Sequence, residues 1–287
     1  MAADEAPRVR QYERSFVAFV DILGFRELIQ NSGRDREVRH ALVEAFEKIS
    51  GFGESIRQKH ATLSFFAFSD SIIVVSEDTA ESVAALLSRV QWLYFRLLRY
   101  GILCRGVIDF GKVIRTNEYI FGPAIVSAYE KEVSLADVPR IILTKAAIAK
   151  LDEYADEEIV EDQLDDALVR DEDGVIYLDP ITLLDGFFWE KNERKVKLGQ
   201  SIFNTIRGHI RDNLQSRIES PKIFKKYRWV AARLDEFLNR NKESLPNYKP
   251  IRQFAFPMDN LVVRNRADQL SIRKAKVKIV LPKRRIE

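Results

Sequence analysis

The chain has one cysteine in 287 residues, Cys104, and it stands in an apolar, strand-like run. That excludes an internal disulfide and any metal cluster built on cysteines. Histidine is nearly as scarce: His40, His60 and His209 are scattered and share no ligand spacing. No apolar run approaches the roughly 20 residues needed to span a bilayer. The opening Met-Ala-Ala-Asp-Glu-Ala-Pro-Arg lacks a signal-peptide core. A cytoplasmic protein without a membrane segment is the expectation. A strong charge of either sign is also missing, since 46 Lys and Arg face 43 Asp and Glu for a net +3. The charge is uneven, however. Residues 152–173 are acidic and residues 264–285 are basic. A basic tail without a recognition motif reads as a solvated end or a partner for the acidic stretch, so nucleic acid is not expected.

What is present is ordinary globular material, 46% hydrophobic and 31% charged. The length suits one large domain or a domain with an appendage. The organising stretch is Ser15-Phe-Val-Ala-Phe-Val-Asp21-Ile22-Leu23-Gly24-Phe25-Arg26-Glu-Leu28-Ile29. Phe16 to Val20 is too short an apolar run for a helix and fits a buried strand. Asp21 closes it, a tight turn follows at Gly24, and Leu28 and Ile29 begin a helix. An anionic oxygen then stands beside free backbone N–H groups, which suits a cation-bound phosphate. A core strand with a helix-capping aspartate is the plainer alternative.

After a break at Ser32-Gly33, Val38, Leu42, Ala45, Phe46 and Ile49 predict an amphipathic helix. Thr62 to Ser76 reads as a hairpin with Ser69-Asp70 at its tip. A tip aspartate is an ordinary turn former, yet it is also a second strand-end carboxylate. Thr79 or Ser82 caps the next helix, whose stripe runs from Val83 to Leu97 and stops at Gly101. Trp92, Tyr94 and Phe95 widen its apolar surface, for core packing or for a dimer contact. Ile102 to Ile114 is strand-like, Gly122-Pro123 starts a helix, Arg140 to Leu143 is a short strand, and Thr144 caps a helix through Leu151. Residues 152–174 read as an exposed acidic insertion ending at Asp173-Gly174, followed by a short strand from Val175 to Leu178. Residues 197–240 read as two helices. The first carries Ile202, Ile206, Ile210, Leu214 and Ile218; the second starts at Pro221 and carries Phe224, Tyr227, Trp229, Val230, Leu234 and Phe237. Strands mixed with hairpins, and helices covering them, imply an α+β class. The expected divisions are a flexible N-terminus at 1–13, a principal domain at 14–150, and an acidic insertion, helical extension and basic tail at 151–287.

Four pieces in order resemble a class III nucleotide cyclase catalytic domain: Phe19-Val-Asp21-Ile22-Leu-Gly24-Phe25, Phe68-Ser-Asp70-Ser, Arg105-Gly-Val-Ile-Asp-Phe-Gly111-Lys-Val113, and Phe121-Gly122 leading into a helix that reaches Glu132. The resemblance covers about residues 14–145. It implies a ferredoxin-like sheet covered by helices, with a helical C-terminal extension. It implies that Asp21, the Ile22 carbonyl and Asp70 hold two divalent cations, Mn²⁺ or Mg²⁺, and that Leu23, Gly24, Phe25, Arg26 and Ser69 bind the nucleotide. Positions that read a purine in that family fall here on Phe66 and Tyr119, and the asparagine and arginine that steady the transition state fall on Val126 and Glu130. With those departures, Arg105-Gly106, the Phe121–Glu132 segment and Lys226-Tyr-Arg-Trp229 look like the bacterial Pycsar antiphage cyclases. That resemblance implies UTP, or else CTP, cyclised to cyclic UMP or cyclic CMP, a homodimer, and a downstream effector that senses the cyclic nucleotide. Arg105 is then the residue that offsets phosphate charge, or simply an ion-pair partner. Tyr129 reaches the base or ribose, or packs in the core. Arg26, where that family often has threonine, touches the terminal phosphate or faces water. A non-catalytic, nucleotide-sensing homologue is the alternative.

Overall fold

Alternation along β1 (Glu13–Ile22) sets the architecture. Phe16, Ala18, Val20 and Ile22 enter one apolar cluster, and Val17 and Phe19 enter another on the opposite face. A strand buried on both faces has to be central, and β1 is, with β3 (Ser71–Ser76) antiparallel on one side and β4 (Cys104–Arg115) antiparallel on the other. A computed structural model describes residues 11–251 apart from 117, 136, 161–166 and 190–191. Residues 1–255 and 256–287 form two units, and all of the second, with the basic stretch 264–285, lies outside the described residues.

The elements follow the sequence pattern closely. After β1 come α1 (Phe25–Ser32) and α2 (Arg36–Lys59), then β2 (Leu63–Phe68) and β3 as the expected hairpin. Next are α3 (Ala80–Leu98), β4, β5 (Ile120–Phe121), α4 (Pro123–Leu135), β6 (Ile141–Leu143) and α5 (Lys145–Asp152). β7 (Leu168–Arg170), β8 (Ile176–Leu178), a 3-10 segment at 181–187, α6 (Glu193–Ser216) and α7 (Pro221–Arg240) follow among the described residues. The sheet order is β2-β3-β1-β4-β6-β8-β7, with β5 paired to β4. This is an α+β protein with one mixed sheet covered by helices. α3 supplies the larger cluster, and α4 covers the other face through Ala124 and Ala128.

Three expectations change. Part of the acidic stretch is not an exposed insertion: residues 168–170 form β7, and Asp171 accepts a hydrogen bond from buried Arg140 at 2.5 Å. Ile218 does not continue the stripe of α6, which ends at Ser216, and it is exposed. The apolar surplus on residues 83–98 offers little free surface, because Tyr94 and Phe95 are buried and only Trp92 reaches the outside, under the guanidinium of Arg96.

The same Asp171 fixes α7. Trp229 Nε1 donates to its Oδ2 at 2.9 Å, Arg233 lies 3.6 Å from its Oδ1, and the Trp229 ring meets Tyr177 of β8 edge-on at 5.3 Å. α7 is therefore pinned to the sheet, which matters for the site below.

Asp179, just after β8, is buried and accepts the Ile181 N–H at 2.8 Å. Burial raises its pKa from 3.8 to about 6. A carboxyl whose folded pKa lies above its unfolded value stabilises the fold below the unfolded pKa, and that contribution is lost as pH rises through the folded one. The loss by neutral pH is roughly 3 kcal/mol. Asp179→Asn keeps an acceptor for Ile181 and removes the charge. We expect urea unfolding to show the variant more stable than the parent at pH 7.5, by about 1–3 kcal/mol, with the gap closing at pH 4. A variant less stable than the parent at pH 7.5 would contradict the assignment.

Candidate functional site

Strand register assembles the site. Asp21 stands opposite Ser71 on β3 and opposite Arg105 on β4. Opposed residues in antiparallel strands share a face, so Asp21 and Arg105 lie on the side of Val17, Phe19 and Val107, which α4 covers. Asp70 arrives from the hairpin tip, where its backbone carbonyl accepts the Ile22 N–H at 3.0 Å. Ser69 beside it has φ 56°, the only positive φ among described non-glycine residues. Strained backbone of this kind persists where the surroundings hold it, often next to a working group.

On the other side of Asp21 the chain turns through Leu23 and Gly24 into α1. Gly24 has φ 74° with open space around it, so conformation, not crowding, calls for glycine. The first turn of α1 leaves backbone N–H groups without helical partners. Gly122 is needed for a different reason. A Cβ there would stand 2.5 Å from the Lys112 carbonyl oxygen, so glycine lets α4 begin flush against β4.

That close seating delivers Glu132 to the site. Glu132 is 2% exposed on α4, and its Oε1 contacts Arg105 Nε. Arg105 Nε also lies 3.6 Å from Asp21 Oδ2. One guanidinium thus sits between two carboxylates. Burial, then the charge of Asp70, raises the Asp21 pKa, and Arg105 opposes them. Burial raises the Glu132 pKa too, again against Arg105. Lys226 on α7 feels the charges of Arg105, Asp21 and Glu132, and burial followed by Arg105 lowers its pKa.

The remaining expected residues divide. Leu23, Gly24 and Ile22 stand beside Asp21, with Leu23 and Gly24 lining a cavity of about 190 Å³ that α7 closes. Phe25 is half-buried against Phe46, 5.8 Å between ring centroids. Arg26 and Ser69 face water. Tyr129 is 54% exposed, so the core reading of that residue is wrong; its ring meets Phe19 edge-on at 5.7 Å. Arg105 is a partly buried ion-pair residue, not a surface one. Glu132 and Lys226 were the residues missed as site members. Only the Asp21–Arg105 register and the return of α7 bring them in.

Asp21, Asp70 and the Ile22 carbonyl offer hard oxygen donors only, which suits Mg²⁺ or Mn²⁺ rather than softer ions. The mutual repulsion of Asp21 and Asp70 fits a cation between them. Among the described residues no three His, Cys, Asp or Glu side chains gather as a ligand set. A cation here would draw its other ligands from water and substrate phosphate, as Mg²⁺ commonly does.

No protein-family model matches this chain, and no curated protein matches it. Among solved structures it is similar to a class III adenylyl cyclase-like ATP-binding protein from Pseudomonas aeruginosa, at 12% identity and TM-score 0.38, over 53% of this chain and 40% of that one. It is similar to a bacterial light-regulated adenylyl cyclase at 14% identity and TM-score 0.39, over 68% of this chain and 57% of that one. A third is the guanylyl cyclase domain of a RhoGC fusion protein from the aquatic fungus Blastocladiella emersonii, at 14% identity and TM-score 0.38, over 58% of this chain and 95% of that one. This chain thus spans well under two thirds of the first two proteins' lengths. No helix among the described residues is long and apolar enough to cross a membrane.

Proposed function

We propose that this chain is a metal-dependent nucleotide cyclase that converts a pyrimidine nucleoside triphosphate, UTP before CTP, to its 3′,5′-cyclic monophosphate and pyrophosphate. One observation carries the reading: Asp21 and Asp70, from two strand ends, meet beside the glycine turn that opens α1. In the reaction the ribose 3′-oxygen loses its proton and attacks the α-phosphorus, and the bond to pyrophosphate breaks. Asp21, Asp70 and the Ile22 carbonyl hold the divalent cations. When bound, those cations lower the barrier by neutralising charge on the attacking and leaving oxygens. The N–H groups after Gly24 face the phosphates. Arg105, bridged to Glu132, keeps the Asp21 carboxylate oriented and adds positive charge near the α-phosphorus.

Phe66 is half-buried and Tyr119 exposed, and neither supplies the charged contact that reads a purine, which supports a pyrimidine. Val126 and Tyr129 are exposed apolar residues on α4, which supports a second copy of the chain packing there. A cytoplasmic enzyme of antiphage defence acting through a cyclic-nucleotide-sensing effector completes the proposal. The alternative, a homologue that binds nucleotide without turnover, draws support from the engagement of Arg105 by two carboxylates.

Incubation of the purified chain with ATP, GTP, CTP and UTP separately, with Mn²⁺, followed by mass identification of products and calorimetric nucleotide binding, tests the reaction and the choice of base. Cyclic UMP or cyclic CMP is the expected product. Cyclic AMP or cyclic GMP would overturn the pyrimidine assignment. Binding without any product would favour the sensor.

A further inference from the structure

We propose that Lys226 on α7 binds the substrate triphosphate, so that α7 completes the nucleotide site of the same chain that supplies Asp21 and Asp70. The inference rests on the cyclase reading above and names a substrate-binding residue within it.

The cations around the cavity beneath the Gly24 turn are almost all committed. Arg217 is paired with Glu27, and Arg105 with Asp21 and Glu132. Lys225, the neighbour of Lys226, turns outward to Asp137 at 2.5 Å. Lys226 differs. It lines the cavity opposite Leu23 and Gly24, and among the described residues it has no hydrogen-bond or ion-pair partner. It is half-buried; Arg105 repels it, while Asp137, then Asp21 and Glu132, attract it. A half-buried lysine that lines the cavity without pairing to a carboxylate is placed to serve an anion that enters it.

Its position is also held. Trp229, three residues on, is pinned to Asp171 and Tyr177, so Lys226 is presented from an anchored turn and not from a loose one. An ammonium is a compact point charge with three donors. It suits the oxygens of a triphosphate, which gain charge as pyrophosphate departs. Lys226 adds to the positive charge of Arg105, which is itself shared between two carboxylates.

The test is Lys226→Met beside Lys226→Arg, with steady-state kinetics on the nucleotide that the four-substrate panel identifies. Calorimetric titration with inorganic tripolyphosphate and Mn²⁺ is run in parallel. We expect Met to raise KM about tenfold or more, the worth of one charged hydrogen bond. Tripolyphosphate affinity should fall by a similar factor. Arg should recover most of both, with the thermal midpoint unchanged in each variant. Parental KM and parental tripolyphosphate affinity in the Met variant would overturn the proposal. So would equal losses in Met and Arg with a lowered midpoint, which mark a structural lysine. If the parent cyclises none of the four nucleotides, the cyclase reading fails. The proposal is then judged on tripolyphosphate alone: weaker binding by the Met variant upholds the lysine's role, and unchanged binding ends it.

Discussion

Asp21→Asn and Asp70→Asn are each expected to lower cyclic-nucleotide formation at least about a thousandfold, because several kcal/mol of charge stabilisation in the transition state go with the cations they hold. Neither change should unfold the protein. Asp21 sits on β1 where burial and Asp70 already oppose its charge, so the neutral amide is no worse for the strand. Asp70 is at a hairpin tip, and its contact with β1 runs through its backbone carbonyl, which the substitution leaves in place. Thermal midpoints within a few degrees of the parent, or slightly above it for Asp21→Asn, would fit a residue kept for work at some expense of stability. Product analysis with saturating Mn²⁺ and the parental substrate reads the loss. A folded variant that cyclises at the parental rate would show that the paired carboxylates do not hold the catalytic cations.

Arg105→Ala should cost about 3 kcal/mol of folding stability, the usual penalty for stripping one partner from a buried pair. Glu132 is 2% exposed on α4, and Arg105 is its contacting cation. Without it the Glu132 pKa, already raised by burial, rises further. The sign then follows. A carboxyl with a raised folded pKa is tolerated when protonated and resisted when charged, so the deficit of Arg105→Ala is largest at neutral pH and shrinks as pH falls through the raised value. Glu132→Gln in the same background should restore much of the stability at pH 7. Activity should not return with it, since Asp21 still lacks the guanidinium that orients it. Urea midpoints at pH 5 and pH 7.5 for the parent, the single and the double variant separate these effects. A deficit that does not change with pH would place the lost stability in packing and not in the Glu132 charge.

Much of this was legible in the chain. The short apolar run from Phe16 to Val20 marked a buried strand, and the Ser69-Asp70 tip between β-rich runs marked the hairpin. The capping residues Thr79 and Thr144 both accept the expected backbone N–H. These signals are local: they depend on rotamers, caps and turns within a few residues. The acidic stretch misled for the same reason. Its charges read as solvated, yet the Asp171 side chain is only 9% exposed because Arg140, Trp229 and Arg233 converge on it from distant parts of the chain.

Two strand-end carboxylates, a glycine turn and an α+β pattern follow from the sequence alone, because each is written in residues close together along the chain. That Asp21 faces Arg105, that Glu132 lies buried behind them, and that α7 returns Lys226 to the same cleft were decided by the tertiary structure. Register between β1 and β4 joins residues more than eighty positions apart, and α7 is pinned through Trp229 to a carboxylate fifty-eight positions earlier. Such pairings are chosen by the total burial of the sheet and its helices, a quantity that no local pattern contains.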